Sequence, residues 1–354
     1  MNLPIKILVV GCGNMGTSHA RAYHKMKEFK IVGLVSRGPE SRKKLSDELG
    51  GYPDFDGYEE ALKTTKPDAV SINTYPDTHV EYVKMALDAD CHVFVEKPLA
   101  NTVEECLEIK RMVKTLGKKL VIGYILRVHP AWTKFIEIAK TLGKPLVMRM
   151  NLNQQSHGDT WGVHKNLMKS MSPIVDCGVH YVDIMGLMTG AKPVSVSAIG
   201  ARLTDELIPG MYNYGQLQVR FDDGSVGWYE AGWGPMISET AFFVKDVIGP
   251  KGCVSIVDKV AGGSDDIDSH SATNSLKVHY SEVNAGGNFA KEDEIIDTHD
   301  EPDHQGLCDL EQTFFMSSIL EDMDLTGHLE DAINSLRIVI AADESFKTGQ
   351  TVML

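Results

Sequence analysis

The residues Ile5-Lys6-Ile7-Leu8-Val9-Val10 run directly into Gly11-Cys12-Gly13-Asn14-Met15-Gly16, and Thr17 to Met26 follows with helical character. An apolar strand that stops on three spaced glycines and restarts as a helix leaves few folds open. The glycines let the backbone turn tightly and approach a ligand closely. The free N–H groups at the helix start then meet negative charge. Gly11, Gly13 and Gly16, with Asn14 and Met15 between them, are therefore candidate binders of a dinucleotide pyrophosphate.

The same strand-then-helix rhythm continues. Strands are expected at Ile31–Val35, Asp68–Ile72, Val93–Val95 and Lys119–Tyr124, with helices at Val80–Ala89 and Thr102–Leu116. This order describes a doubly wound parallel sheet. A chain of 354 residues is long for one core. We expect a dinucleotide-binding domain over 1–127 and a second domain over 128–354.

Ligands of such sheets sit beyond the carboxyl ends of the strands, and those ends carry the polar residues. Ile31–Val35 is followed by Ser36-Arg37 rather than by the carboxylate that would hold ribose hydroxyls. No negative charge there repels a 2′-phosphate, and Arg37 can pair with one. NADP(H) is favoured and NAD(H) remains possible. Asn73-Thr74-Tyr75-Pro76-Asp77-Thr78-His79 follows the next strand. Thr74, Tyr75 and His79 are expected to line the cofactor groove, His79 by capping or packing the following helix. Val93–Val95 ends in Glu96-Lys97-Pro98. A charged pair at the end of a buried strand is costly unless something uses or neutralises it. Glu96 is placed on the cofactor side, and Lys97 is read as the catalytic cation.

The second half starts with a helix, His129–Leu142, and a strand, Leu146–Gln154. A polar loop is expected over Gln155–His164. Its hydrogen-bonding groups and one tryptophan suit a sugar, which makes Trp161 and His164 substrate-binding candidates. Ser172-Pro173 starts a largely apolar helix as N-cap and first residue. On it Asp176 and His180 stand four apart and share a face. By itself His180 reads as a satisfied core histidine. From Val194 onward strands are expected at Val194–Ala201, Tyr214–Phe221, Ser225–Gly232, Thr240–Gly249, Gly252–Val257 and Ser275–Tyr280. Joined by short turns, they form a mostly antiparallel, open-faced sheet. Polar loops over Asp265–Asn274 and Val283–Pro302 come next. Helices near Gly306–Met323 and His328–Lys347 then cover the sheet and return toward the first domain. The His299–His304 run resembles a metal-ligand set but lacks cysteine and fixed pair spacing, so it is read as a substrate-facing loop and no metal is expected.

Gly11-x-Gly13-x-x-Gly16, the Thr74–His79 loop, Glu96-Lys97-Pro98 and the Arg127-x-x-Pro130 turn together resemble the glucose–fructose oxidoreductase/inositol dehydrogenase family (Gfo/Idh/MocA). Tyr75 departs from it, since many members carry proline there. The resemblance covers essentially the full chain. It implies hydride transfer between a nicotinamide cofactor and a carbinol carbon of a sugar, cyclitol or related polyol. It places Asp176-x-x-x-His180 on the catalytic helix, with His180 exchanging the hydroxyl proton. Asp176 then binds the sugar or orients His180, Lys97 stabilises charge on the reacting oxygen, and Arg127 joins the substrate set. The same opening oxidation would serve a redox-assisted glycosidase or lyase of this fold. A dinucleotide-binding sensor would have no need of Lys97, Asp176 and His180 together.

The balance of 35 Lys and Arg against 49 Asp and Glu, a net charge of −14, speaks against a nucleic-acid partner. No apolar run is long enough to span a bilayer and no leader is apparent, so a cytoplasmic protein is expected. The six cysteines show no metal or redox spacing. The open sheet face needs cover, and a homodimer or homotetramer is expected to supply it.

Overall fold

In the computed structural model, which describes residues 4–238, 244–257 and 273–354, the chain divides into two compact units. The first comprises Met1–Val128 and Gln305–Ile333, the second His129–His304 and Asn334–Leu354. The junction at Val128 lies one residue from the expected boundary. The expected second domain is nonetheless not one piece, because Gln305–Ile333 belongs to the first unit.

The first unit opens with β1 (Ile5–Val10), α1 (Asn14–Lys25), β2 (Phe29–Val35), α2 (Pro39–Glu48), β3 (Asp54–Phe55) and α3 (Tyr58–Thr65). It continues with β4 (Ala69–Ile72), α4 (His79–Asp88), β5 (His92–Glu96), α5 (Val103–Leu116) and β6 (Leu120–Gly123). The strands form a parallel sheet in the order β3-β2-β1-β4-β5-β6. Chain order reverses between β1 and β4, the switch point at which such sheets bind ligands. The strands are apolar and buried on both faces, as parallel sheets require. A capping box of Thr102 and Glu105 starts α5, and Gly117 in the left-handed conformation ends it.

The second unit contains α6 (Pro130–Thr141), β7 (Val147–Gln155), α7 (Gly158–Leu167), α8 (Pro173–Asp176) and α9 (Gly178–Thr189). Then come β8 (Pro193–Ala201), β9 (Tyr214–Phe221), β10 (Val226–Gly234), β11 (Lys245–Gly249), β12 (Gly252–Val257), β13 (Ser275–Tyr280) and β14 (Glu294–Asp297). The chain closes with α10 (His304–Leu320), α11 (Thr326–Thr348) and β15 (Val352–Met353). Nine strands form one sheet in the order β14-β13-β12-β11-β7-β10-β9-β8-β15. All pairs are antiparallel except β7 with β10. Side chains alternate across it. Tyr229 and Trp233 of β10 are fully buried on one face, while Val226 and Trp228 point to the other.

Three expectations are corrected. Gln155–His164 is not a loop, because Gly158–Leu167 is helix α7. Its composition is polar, but Trp161 and His164 stand three apart and bury one helical face. The helix carrying Asp176 and His180 is interrupted at Cys177, so the two residues lie on successive helices, α8 and α9. Val283–Pro302 is not loop throughout, since β14 pairs with β13 there. The start of the strand expected over 240–249 and most of the loop expected over 265–274 lie outside the described residues.

Gln305–Ile333, which holds most of α10 and the first part of α11, completes the first unit's core. Phe315, Ile319 and Leu325 cluster with Ile5, Ile7, Val9, Tyr23 and Phe94.

Candidate active site

In the first unit the glycine turn stands at the switch point. Gly11 has φ +92°, and a Cβ there would lie 2.4 Å from the Asn73 carbonyl oxygen. A Cβ on Gly16 would lie 1.8 Å from the Gly11 carbonyl oxygen. Neither position accepts a side chain. Gly13 differs: nothing lies within 4 Å of where its Cβ would be. Gly13 is also the N-cap of α1, with no side-chain cap and no acidic residue in the first turn. Gly13 and Asn14 are exposed, and the N–H groups of the first helical turn have no acceptor within the helix, an arrangement that fits a pyrophosphate. Asn73, buried against this turn, donates its backbone N–H to the Val10 carbonyl at 2.7 Å. Sequence reading passed over it because its role is backbone contact rather than side-chain chemistry.

Ser36 and Arg37 follow β2. Arg37 is exposed. Arg42 donates to the Ser36 carbonyl at 2.7 Å and pairs with Asp54 at 2.8 Å, which holds the turn that presents Arg37. Lys43 pairs with Asp47 on the helix surface. Tyr75 is half exposed.

Two imidazoles brace the chain around Lys97. His79 is fully buried, with Nδ1 2.8 Å from the Pro98 carbonyl oxygen and Nε2 2.9 Å from that of Thr74. Burial pulls its pKa below the ordinary histidine value, with the two carbonyls acting the other way. A neutral ring has one N–H, so it serves one of the two carbonyls at a time. It stands between the Thr74 loop and the Lys97 turn. Glu96 is buried and contacts His19 of α1, Nε2 to Oε1 at 2.7 Å. Its Oε2 accepts the Lys97 backbone N–H at 3.3 Å. Burial pushes the Glu96 carboxyl up, but the His19 hydrogen bond and the Lys97 charge outweigh it and hold the pKa below the ordinary value. A buried acceptor stripped of its donor costs about 1–3 kcal/mol, more for a charged one. Arg127 pairs with Asp331 at 3.0 Å, approaches His328 at 3.4 Å and lies 5.5 Å from the Tyr124 ring centre.

In the second unit, Ser172 caps α8 by accepting the Val175 N–H at 3.2 Å. Ser172 also donates to Asp343, as does Tyr212. Cys177 follows with φ −90° and ψ −37°, and the His180 N–H bonds the Cys177 carbonyl three residues back at 3.2 Å. From Met171 to Met185 every residue is buried except Asp176 and His180, which are both partly exposed, with His180 Nδ1 itself buried. The two polar side chains open from a helix pair that is otherwise core. The Cys177 thiol lies 3.6 Å from Gln154 Oε1 and 3.5 Å from Asp176 Oδ2. Gln154 Oε1 also accepts the Trp233 indole N–H at 2.7 Å. His164 stacks on Trp233, with centroids 4.3 Å apart and planes at 12°. Its Nδ1 lies 2.9 Å from Ser156 Oγ. Burial pushes its pKa down to about 4, with the Asp176 charge opposing, so the ring is neutral at pH 7. Trp161 donates its indole N–H to Glu206 at 3.3 Å, under Lys165. Gln154 and Trp233 were not singled out for this site, because a strand residue shows its partners only once β7 and β10 are paired.

In the His299–His304 run, His299 pairs with Asp297 at the surface. Glu301 turns inward, 3.7 Å from His129 Nε2.

Comparison with known proteins decides the family. Residues 5–124 match the model described as "Oxidoreductase family, NAD-binding Rossmann fold", and residues 138–354 match its C-terminal alpha/beta domain. The chain belongs to the Gfo/Idh/MocA oxidoreductase family. Among its relatives, the scyllo-inositol 2-dehydrogenase (NAD(+)) of Bacillus subtilis is 26% identical over 100% of this chain and 97% of its own. The D-glucoside 3-dehydrogenase of Escherichia coli is 26% identical over 70% of this chain and 76% of its own. The crystal structure of scyllo-inositol dehydrogenase from Lactobacillus casei with bound NAD(H) and scyllo-inositol shares the fold. It has a TM-score of 0.76 and 21% identity over 99% of this chain and 98% of its own. This Gfo/Idh/MocA chain is thus an enzyme of the oxidoreductase class with a nicotinamide-dinucleotide fold in its first unit. Among the described residues no helix is long and apolar enough to cross a membrane.

Proposed function

We propose that this enzyme transfers hydride between a nicotinamide cofactor, with NADP(H) favoured, and a secondary alcohol or ketone carbon of a sugar, cyclitol or sugar derivative. The observation that carries the reading is the opening of Asp176 and His180, alone, from the buried run between Met171 and Met185. Alongside it stand the family match over both units and the names of the relatives, which act on inositols and glucosides.

When bound, the cofactor supplies the hydride acceptor or donor. Gly11, Gly13 and Gly16 with the N–H groups of Asn14 and Met15 take its pyrophosphate, Arg37 its 2′-phosphate, and Thr74 and Tyr75 border it. Lys97 hydrogen-bonds the reacting oxygen and stabilises the charge that develops there. His180 takes the hydroxyl proton on oxidation and returns it on reduction. Asp176 orients His180 or a substrate hydroxyl, and Trp161 and His164 contribute to sugar binding.

The sheet face opposite Tyr229 and Trp233 carries Trp228, Val226, Val147 and Ile248 by the two-residue alternation. A second copy of the chain covering that face gives a dimer or tetramer.

Fluorescence titration with NADPH and NADH tests the cofactor assignment. Tighter NADPH binding, lost in Arg37→Ala by about tenfold, is expected from one charge-assisted contact. Equal or tighter NADH binding refutes it. Sugars, inositols and glucosides are then assayed with the preferred cofactor; glycosidic cleavage without net cofactor turnover would replace this reading with redox-assisted hydrolysis or elimination.

A further inference from the structure

We propose that His19 is a positioning residue for Lys97, held for that task in one tautomer by Gln312 and Tyr23. The proposal rests on the reading of Lys97 as the catalytic cation. Its basis is a chain of hydrogen bonds in the first unit that converges on the Glu96 carboxylate from both sides. The Tyr23 hydroxyl donates to Gln312 Oε1 at 2.5 Å. The Gln312 amide nitrogen donates to His19 Nδ1 at 2.8 Å. With Nδ1 accepting, the ring proton sits on Nε2, which donates to Glu96 Oε1 at 2.7 Å. The other Glu96 oxygen accepts the Lys97 backbone N–H at 3.3 Å. Three donors lead to one Glu96 oxygen and the Lys97 amide to the other, so the bonds fix a tautomer and a carboxylate rotamer together.

Tyr23, His19 and Gln312 are all buried to 1% exposure or less. A polar chain at that depth is a poor way to gain stability, because apolar side chains of the same volume would pack there without desolvation cost. What the polar chain adds is direction. It begins on α1, the helix that the glycine turn launches, and ends on the amide of Lys97. Two neighbours could have claimed the ring. His19, Cys308 and Glu311 bring their ligating atoms within 4.8 Å of one another, but Gln312 occupies the one imidazole lone pair. Glu311 is pushed well up, first by burial and then by the Glu96 charge. Both causes oppose a second negative charge beside the ring.

The test compares His19→Phe, which keeps a ring without donors, with His19→Gln, which keeps an N–H. His19→Phe is expected to lower kcat about 10- to 100-fold, the size of effect a displaced catalytic group gives. The KM for the sugar substrate and the NAD(P)H dissociation constant are expected to change little, and His19→Gln to recover most of the loss. Acetylation of Lys97 by acetic anhydride, read by mass spectrometry, is expected to change in His19→Phe and return toward wild type in His19→Gln. Ring ¹⁵N spectra of histidine-labelled wild-type protein are expected to show His19 with the proton on Nε2, and Gln312→Leu to release that preference. Unchanged kcat and Lys97 reactivity in His19→Phe, or equal losses in the two variants, would overturn the proposal. So would a wild-type ring protonated on Nδ1 or on both nitrogens. If His19→Phe does not fold, the spectra and the His19→Gln labelling decide. If no sugar is turned over at all, the reading of Lys97 fails on its own account, while labelling and spectra still judge the link to His19.

Discussion

The two units hold the residues proposed for catalysis in different ways. In the first, Lys97 follows a strand end whose neighbours are fixed by directional bonds, Glu96 by His19 and Pro98 by His79. In the second, Asp176 and His180 flank a helix junction set by shape. Gly178 leaves just enough room for Tyr229, whose ring would lie 3.0 Å from an added Cβ. Tyr181 stacks on Tyr229 with centroids 4.9 Å apart. Hydrogen bonds in a low-dielectric interior specify angle and protonation state, whereas packing specifies distance and tolerates the loss of a polar atom. The turn at Lys97 leans on hydrogen bonds, and the junction at Gly178 on packing.

The largest expected effects divide the labour. His180→Ala should lower kcat about 10³-fold through loss of proton transfer, and Lys97→Met about 10²- to 10³-fold through loss of charge stabilisation. Both should leave NAD(P)H binding near wild type in a fluorescence titration. A variant that loses binding rather than turnover would break the division.

A second effect is an acid response that both units share. Burial pushes His164 down to about 4, below the unfolded value of about 6.5. The unfolded chain therefore takes the proton first. The stability contributed by the neutral ring is complete above about pH 6.5 and is lost as pH falls toward 4. His92 and His328 of the first unit behave alike, pushed by burial to about 4 and about 3. Thermal melts across that range should show falling stability. His164→Gln should remove about 3 kcal/mol of the loss between about pH 6.5 and 4; an unchanged loss would mean that His164 is not held neutral.

The smallest effect is the sharpest comparison. Tyr23 and Tyr229 are both fully buried. The Tyr23 hydroxyl donates to Gln312, while the Tyr229 hydroxyl makes no hydrogen bond among the described residues. Tyr23→Phe should cost about 1–3 kcal/mol in a urea titration, and Tyr229→Phe should be neutral or slightly stabilising. Equal costs would erase the distinction drawn between the units.

What the sequence made legible follows the same line. The glycine turn, Glu96-Lys97-Pro98 and the alternation of strand and helix are local patterns found where their spacing placed them, while α2, β3 and α3 between Val35 and Ala69 were not among the expected elements. Helix α7 was hidden because its buried face is only Trp161 and His164 among polar neighbours. The interruption at Cys177 was hidden because the Asp176–His180 spacing suits a continuous helix equally well. Nothing in the sequence marks His19, since its partners lie 77 and 293 positions away in the chain.

That last separation bears on how such a gene can be cut. Gln312, Phe315, Ile319 and Leu325 are part of the first unit, yet a ribosome delivers them only after nearly the whole of the second has been translated. The nascent amino-terminal half waits with an open flank. A fragment ending at Val128, or a chimaera exchanged there with a relative, inherits that flank, whereas a graft that also carries Gln305–Ile333 keeps core and relay together.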